Sequence, residues 1–147
     1  MIVATVRPLY ADTDQMGIVN HAVALRWFEL ARAEWLRRLG HSYRQMEADG
    51  VMLPVYELGV RYFKPAYYDQ LLDLDARLEL PGHVRIVFHY RITDKASGEL
   101  LISGTTKHAS IEAGGIRSGR PRRLPDELRT LLETAMARDA EHEQGSS

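Results

Sequence analysis

Asp12 and Asp14 stand two residues apart in a polar stretch, Asp12-Thr13-Asp14-Gln15-Met16-Gly17, and Asn20 and His21 follow closely. An ionised carboxylate can attack a carbonyl carbon or draw a proton from water. Histidine is the side chain that titrates nearest neutrality. If a helix begins beside this stretch, its first backbone N–H groups lack intrahelical acceptors and can hold an oxygen that becomes negative during acyl transfer. Removing a donor of that kind costs about 3–4 kcal/mol of transition-state stabilisation. The same residue types also suit blander roles: Asp12 and Asp14 as turn formers or caps, His21 as a capping or packed histidine. The stretch converges too few ligands for a metal site, so none is expected.

The elements that must position these residues are legible on either side. Ile2, Ala4 and Val6 alternate with Thr5 and Arg7, which predicts a first strand. From His21 to Leu39 the apolar positions recur at helical steps through Val23, Trp27, Ala31 and Trp35, with Asn20 as N-cap and Gly40 as stop. Two tryptophans on one helix point to a buried element that a sheet must cover. Alternation then predicts strands over 56–62, 72–80, 84–92 and 100–111, the last ending at Gly114-Gly115. Pro125, Asp126 and Glu127 suit the start of a closing helix, and the tail 141–147 is expected to fray. Strands joined by short turns pair antiparallel, so the fold class is α+β, with one sheet packed on one long helix.

Composition removes several classes of function. The chain of 147 residues has the length of one domain, 1–140 by this reading. It contains no cysteine, which excludes disulfides, thiolate nucleophiles and cysteine-based zinc sites. A net charge of -1 gives no overall attraction to nucleic acid. No segment reaches the length of an apolar membrane span, and a cytoplasmic location is expected. Of the 19 basic residues, Arg117, Arg120, Arg122 and Arg123 crowd into seven positions. Such a cluster suits phosphate, or simply a solvated loop.

The segments Tyr10-Ala-Asp-Thr-Asp-Gln-Met-Gly-Ile-Val-Asn-His21 and Arg26-Trp-Phe-Glu-Leu-Ala-Arg32 resemble the opening of hot-dog acyl-CoA thioesterases of the 4-hydroxybenzoyl-CoA thioesterase type, including those of the Tol-Pal cluster. The likeness continues through Val60-Arg-Tyr-Phe-Lys-Pro-Ala66 with Tyr68-Asp69, and reaches Pro121-Arg-Arg-Leu-Pro125. The resemblance implies a hot-dog fold, in which a five-stranded antiparallel sheet wraps the long helix. It implies dimers joined edge to edge, often assembled into homotetramers, with active sites at the subunit interface. It implies hydrolysis of an acyl-CoA substrate without a cofactor, Asp14 as the catalytic carboxylate and the amide at position 21 as the group polarising the thioester carbonyl. His21 matches the histidine of one branch of the family. Gly17, Ile18 and Val19 fall in the substrate-binding loop, and Arg120, Arg122 and Arg123 fall where relatives meet the nucleotide phosphates of coenzyme A.

Two other classes fit the same segments. Hot-dog hydratases and dehydratases also pair an aspartate with a histidine, although the Asn-Pro that precedes their histidine is absent at Asn20-His21. A non-catalytic module binding acyl-CoA or an acyl carrier is the other. Acyl preference is not readable, since Trp27, Met52, Tyr56 and Tyr62 suit either a pocket or the core.

Overall fold

The computed structural model describes residues 1–41, 43–112 and 119–145, Tyr43 by its backbone alone. Gly114, Gly115, Arg117 and the two terminal serines lie outside the described residues. In chain order the elements are β1 (Ile2–Val6), α1 (Val23–Arg37), α2 (Tyr43–Ala48), β2 (Val51–Met52), β3 (Val55–Tyr62), β4 (Leu72–Glu79), β5 (Arg85–Asp94), β6 (Leu100–Ala109), β7 (Ile111–Glu112) and α3 (Asp126–Gly145). Five strands form one antiparallel sheet in the order β1-β4-β5-β6-β3, and β2 with β7 makes a separate two-stranded ribbon. This is the α+β hot-dog arrangement that the resemblance implies.

The alternation along β4 and β5 decides which face meets α1. Leu72, Leu74, Ala76 and Leu78 pair in register with Asp94, Ile92, Tyr90 and Phe88, and the apolar members share the buried face. Ala24, Phe28, Ala31, Trp35 and Leu36 of α1 fill that face from the other side. Trp35 meets Phe88 edge-on at 5.8 Å, and Phe28 stacks on Tyr90 with centroids 4.5 Å apart. Each such side chain withdrawn from water contributes about 1.5–3 kcal/mol. Both tryptophans are therefore core. Gly104 of β6 makes the Phe28 ring possible, since a Cβ there would stand 2.3 Å from it.

Several boundaries differ from the sequence reading: the strand expected over 100–111 stops at Ala109, with Ile111 passing into the separate β2–β7 ribbon, and the helix ends shift as well. Helix α1 begins at Val23 because residues 21 and 22 form a turn; Ala22 and not Asn20 is its N-cap, with no side-chain cap, and the Asn20 Oδ1 accepts the Ala22 N–H within the preceding turn at 3.0 Å. It ends at Arg37, where the Leu39 and Gly40 amides donate to the carbonyls of Leu36 and Arg37 and Gly40 takes a positive φ of 72°. Helix α3 continues past residue 140 into the segment expected to fray. Its far end is held: Asp139 accepts the Trp35 indole N–H at 2.8 Å, and Glu143 pairs with Arg77 at 2.7 Å. No helix among the described residues is long and apolar enough to cross a membrane.

Candidate active site

The loop after β1 is a small hairpin closed by its own backbone. The Asp14 amide donates to the Ile18 carbonyl, the Gly17 amide donates back to the Asp14 carbonyl, and Thr13 bridges Val19. Gly17 has φ +78°, the left-handed value that a three-residue hairpin loop requires at its last position. It is not among the residues that line the cleft described below. Asp12, 7% exposed, anchors this hairpin to the body. One of its carboxylate oxygens accepts the Leu9 N–H at 2.8 Å, the other binds the Arg26 guanidinium of α1, and its backbone carbonyl accepts the Asn20 amide.

Asp14 is left half-buried at the hairpin tip. Its Oδ1 accepts the Met16 N–H at 2.8 Å, and among the described residues Oδ2 has no partner. The chain then leads through Ile18 and Val19 to the turn before α1. There the Val23 amide donates to the Asn20 carbonyl, and Ala22 is taken by the Asn20 side chain. The His21 amide has no acceptor among the described residues. The His21 carbonyl, by contrast, receives the hydroxyl of Tyr62. The His21 side chain is exposed.

The second segment of the family resemblance packs directly on the first. The Val19 amide donates to the Ala66 carbonyl at 2.8 Å, and Ile18 bridges Tyr67. Together they enclose a cleft of about 400 Å³ lined by Asp14, Ile18, Val19, His21, Tyr62, Phe63, Pro65 and Ile102, among others. Its walls are mostly apolar, and its polar residues are Asp14, Asn20, His21, Lys64 and Tyr62, whose phenol pKa burial raises. A carboxylate and an N–H donor at one apolar cleft can act on the carbon and oxygen of a single carbonyl. Of the residues expected in the site, Asp14, Ile18, Val19 and His21 come together here. Phe63, Lys64 and Pro65 join them without having been assigned a role from sequence; the signal was their place in the second resembling segment.

The arginines do not join them within one chain. Pro121 bridges Ile111 in β7, nine residues along the chain from the cleft residue Ile102, a reach of at most about 30 Å at 3.3 Å per residue. Arg120 and Arg123 are exposed at that far end, and Arg122 is partly covered. The Arg122 guanidinium donates to the carbonyls of Asp49 and Gly50, at 3.2 and 2.6 Å, so it braces the turn between α2 and β2.

The model of the thioesterase-like superfamily matches residues 8–132. YneP of Bacillus subtilis is 34% identical over 126 residues, spanning 86% of this chain and 91% of that protein. The acyl-CoA thioesterase YbgC of Haemophilus influenzae is 30% identical over 128 residues, 86% and 90% of the two chains. The crystal structure of the DHNA-CoA thioesterase from Staphylococcus aureus superposes with a TM-score of 0.78 at 29% identity, covering 98% of this chain and 93% of that one. With the family match spanning most of its length and relatives aligned almost end to end, this chain belongs to the thioesterase-like superfamily.

Proposed function

We propose that the protein is an acyl-CoA thioesterase: it cleaves the thioester with water to give a free carboxylic acid and coenzyme A. Asp14 acts as nucleophile or general base, and the His21 amide holds the carbonyl oxygen. The observation that carries this reading is the cleft that Asp14 and His21 both line, with one Asp14 carboxylate oxygen and the His21 N–H lacking partners among the described residues. The names of the Haemophilus influenzae and Staphylococcus aureus relatives supply the coenzyme A part. Either route breaks the C–S bond, passes a proton to the departing thiolate and adds the elements of water to the acyl group. It asks for no cofactor. Ile18 and Val19 face the acyl chain, and the His21 imidazole is close enough in sequence to assist proton transfer at the turn.

The site is completed by a second copy in this reading. β3 is an edge strand, and Tyr56, Leu58, Tyr62 and Phe63 are each about half exposed along or just beyond it. An open apolar edge invites a further strand. Antiparallel pairing of β3 with its own copy sets the Val55 end of one chain against the Tyr62 end of the other. That brings Arg120 and Arg123 of the partner towards the cleft, where the coenzyme A phosphates need them. The homotetramer expected from the resemblance would then be a pair of such dimers.

The test is Asp14→Asn, folded and at the wild-type oligomeric state, assayed for thiol release across short, medium, long and aromatic acyl-CoAs. The expected result is loss of at least a hundredfold in kcat with every substrate the wild type accepts. Undiminished turnover removes Asp14 from the mechanism, and hydration of an enoyl-CoA without thiol release moves the protein to a different reaction.

A further inference from the structure

The face of the sheet turned away from α1 carries a feature that hydrolysis does not use. The register sets three rows across β3, β6, β5 and β4 on that face: Arg61, Ser103, Arg91, Asp75; then Gly59, Thr105, His89, Arg77; then Glu57, Lys107, Val87, Glu79. Between the first two rows lies a trough of about 460 Å³, lined by Gly59, Arg61, His89, Arg91, Ser103 and Thr105.

Among the described residues most charges on this face are matched, Arg85 at the end of β5 being an exception outside the trough. Lys107 pairs with Glu57 at 2.6 Å, Arg77 with Glu143 at 2.7 Å and His89 with Glu79 at 2.7 Å. Asp75, the register neighbour of Arg91, gives its carboxylate to the N-terminal amine at 2.9 Å instead, and Asp73 is held by Thr5 and Lys95. Among the described residues Arg61 and Arg91 have neither an ion pair nor a hydrogen-bond partner. They flank one strand, so their Cα atoms stand about 9.6 Å apart, within reach for two guanidinium groups to meet over Ser103.

Gly59 is a second, independent pointer. Glycine inside a strand weakens it and often marks close approach of a ligand or another backbone. Gly104 is explained by the Phe28 ring pressed on it, but a Cβ at Gly59 would meet nothing within 4 Å, and its φ is not positive. Nothing in this chain requires glycine there.

We infer that this trough binds a phosphate-bearing small molecule of the diphosphate class, on the opposite side of the sheet from Asp14. Two planar guanidinium forks are suited to bidentate phosphate contacts, with the Ser103 and Thr105 hydroxyls as further donors and the bare backbone at Gly59 admitting the ligand close. A second copy stacked on this face fits less well: the carboxylates it would offer are already engaged, and a twofold axis near the middle of the sheet would set Arg91 close to its own copy.

The experiment is titration calorimetry on the full chain with inorganic pyrophosphate and, separately, ADP. Binding of either to the wild type is expected, with affinity at least tenfold weaker in Arg61→Gln and in Arg91→Gln, and lost in Gly59→Leu, whose side chain fills the trough. Asp14→Asn is expected to bind as the wild type does. No heat with either probe, or the same affinity in both arginine variants, overturns the inference. So does binding that falls with Asp14→Asn and not with Arg91→Gln, which would place the anion in the cleft. A drop in sedimenting mass in Arg91→Gln also overturns it, since the face would then be a contact between copies. Thioester hydrolysis is scored separately, so failure here leaves the proposed activity standing.

Discussion

The Tyr62 hydroxyl, on the edge strand, donates to the carbonyl of His21 in the turn that opens α1. The contact joins elements 41 residues apart and fixes the turn whose next amide towards the N-terminus is the unpaired His21 N–H. Burial raises the Tyr62 pKa, so the phenol keeps its proton, and its donor role, through the neutral range. A neutral hydrogen bond of this kind contributes about 0.5–1.5 kcal/mol, so Tyr62→Phe should lower kcat roughly 2- to 12-fold. KM should change little, and the melting temperature should fall by about 1–6 °C, as the loss of one such bond gives. A lowered melting temperature with wild-type kcat would make Tyr62 a packing residue instead.

Asp12 and Arg26 tie the hairpin that carries Asp14 to α1, but the two ends of the pair are unequal. The Asp12 carboxylate is buried, whereas the Arg26 side chain is 67% exposed. Asp12→Ala removes the charged acceptor of the Leu9 amide at a part-buried hydrogen bond and should cost about 1–3 kcal/mol. Arg26→Ala leaves that bond in place and should cost under about 1 kcal/mol, as for an exposed pair. Urea denaturation of the two single variants and the double variant measures both. Asp12→Ala should also lose activity beyond what its stability explains, because the hairpin that carries Asp14 loosens. Costs in the reverse order would show that the helix, not the loop, depends on this contact.

The sheet was legible because one face of it is wet. Leu72 to Leu80 alternates so cleanly that its buried face can be read residue by residue. β3 alternates equally well, yet Leu58 and Tyr62 are half exposed. Periodicity reports which face is apolar and not what covers it. Asp14 and His21 were put together by the family resemblance, seven residues apart in the chain, and both line one cleft. Tyr62, Phe63 and Pro65 were harder to place, since their arrival depends on pairing between segments some 40 residues apart. The arginine cluster was visible as charge, but its destinations were not. Arg122 reaches back to Gly50, whose positive φ of 87° leaves a carbonyl facing that guanidinium. Helix α2 was missed because six residues show too little periodicity.

A buried polar chain through the core sets the response of the fold to acid. His108 Nδ1 lies 2.9 Å from the Leu53 carbonyl, which can only accept, so Nδ1 carries the proton. Nε2 must then accept from the Thr106 hydroxyl at 2.8 Å. Thr106 in turn accepts from the Tyr90 hydroxyl at 2.6 Å, and Tyr90 accepts from Arg32 at 3.3 Å. The hydroxyl and imidazole donors from Tyr90 through Thr106 to His108 are matched only while His108 is neutral. Burial, with a smaller contribution from the Arg32 charge, lowers its pKa to about 4, against the opposing pull of the Leu53 carbonyl. The unfolded chain, at about 6.5, therefore binds the proton more readily than the native one. Stability from this group is complete above pH 6.5 and declines as the pH falls towards 4. The full loss is on the order of 3 kcal/mol. Below pH 4 its contribution is flat. Denaturation midpoints taken from pH 7.5 to 4 should trace this decline. His108→Gln should flatten the curve across that window while lowering stability at pH 7.5. An unchanged slope in the variant would assign the acid sensitivity to the carboxylates.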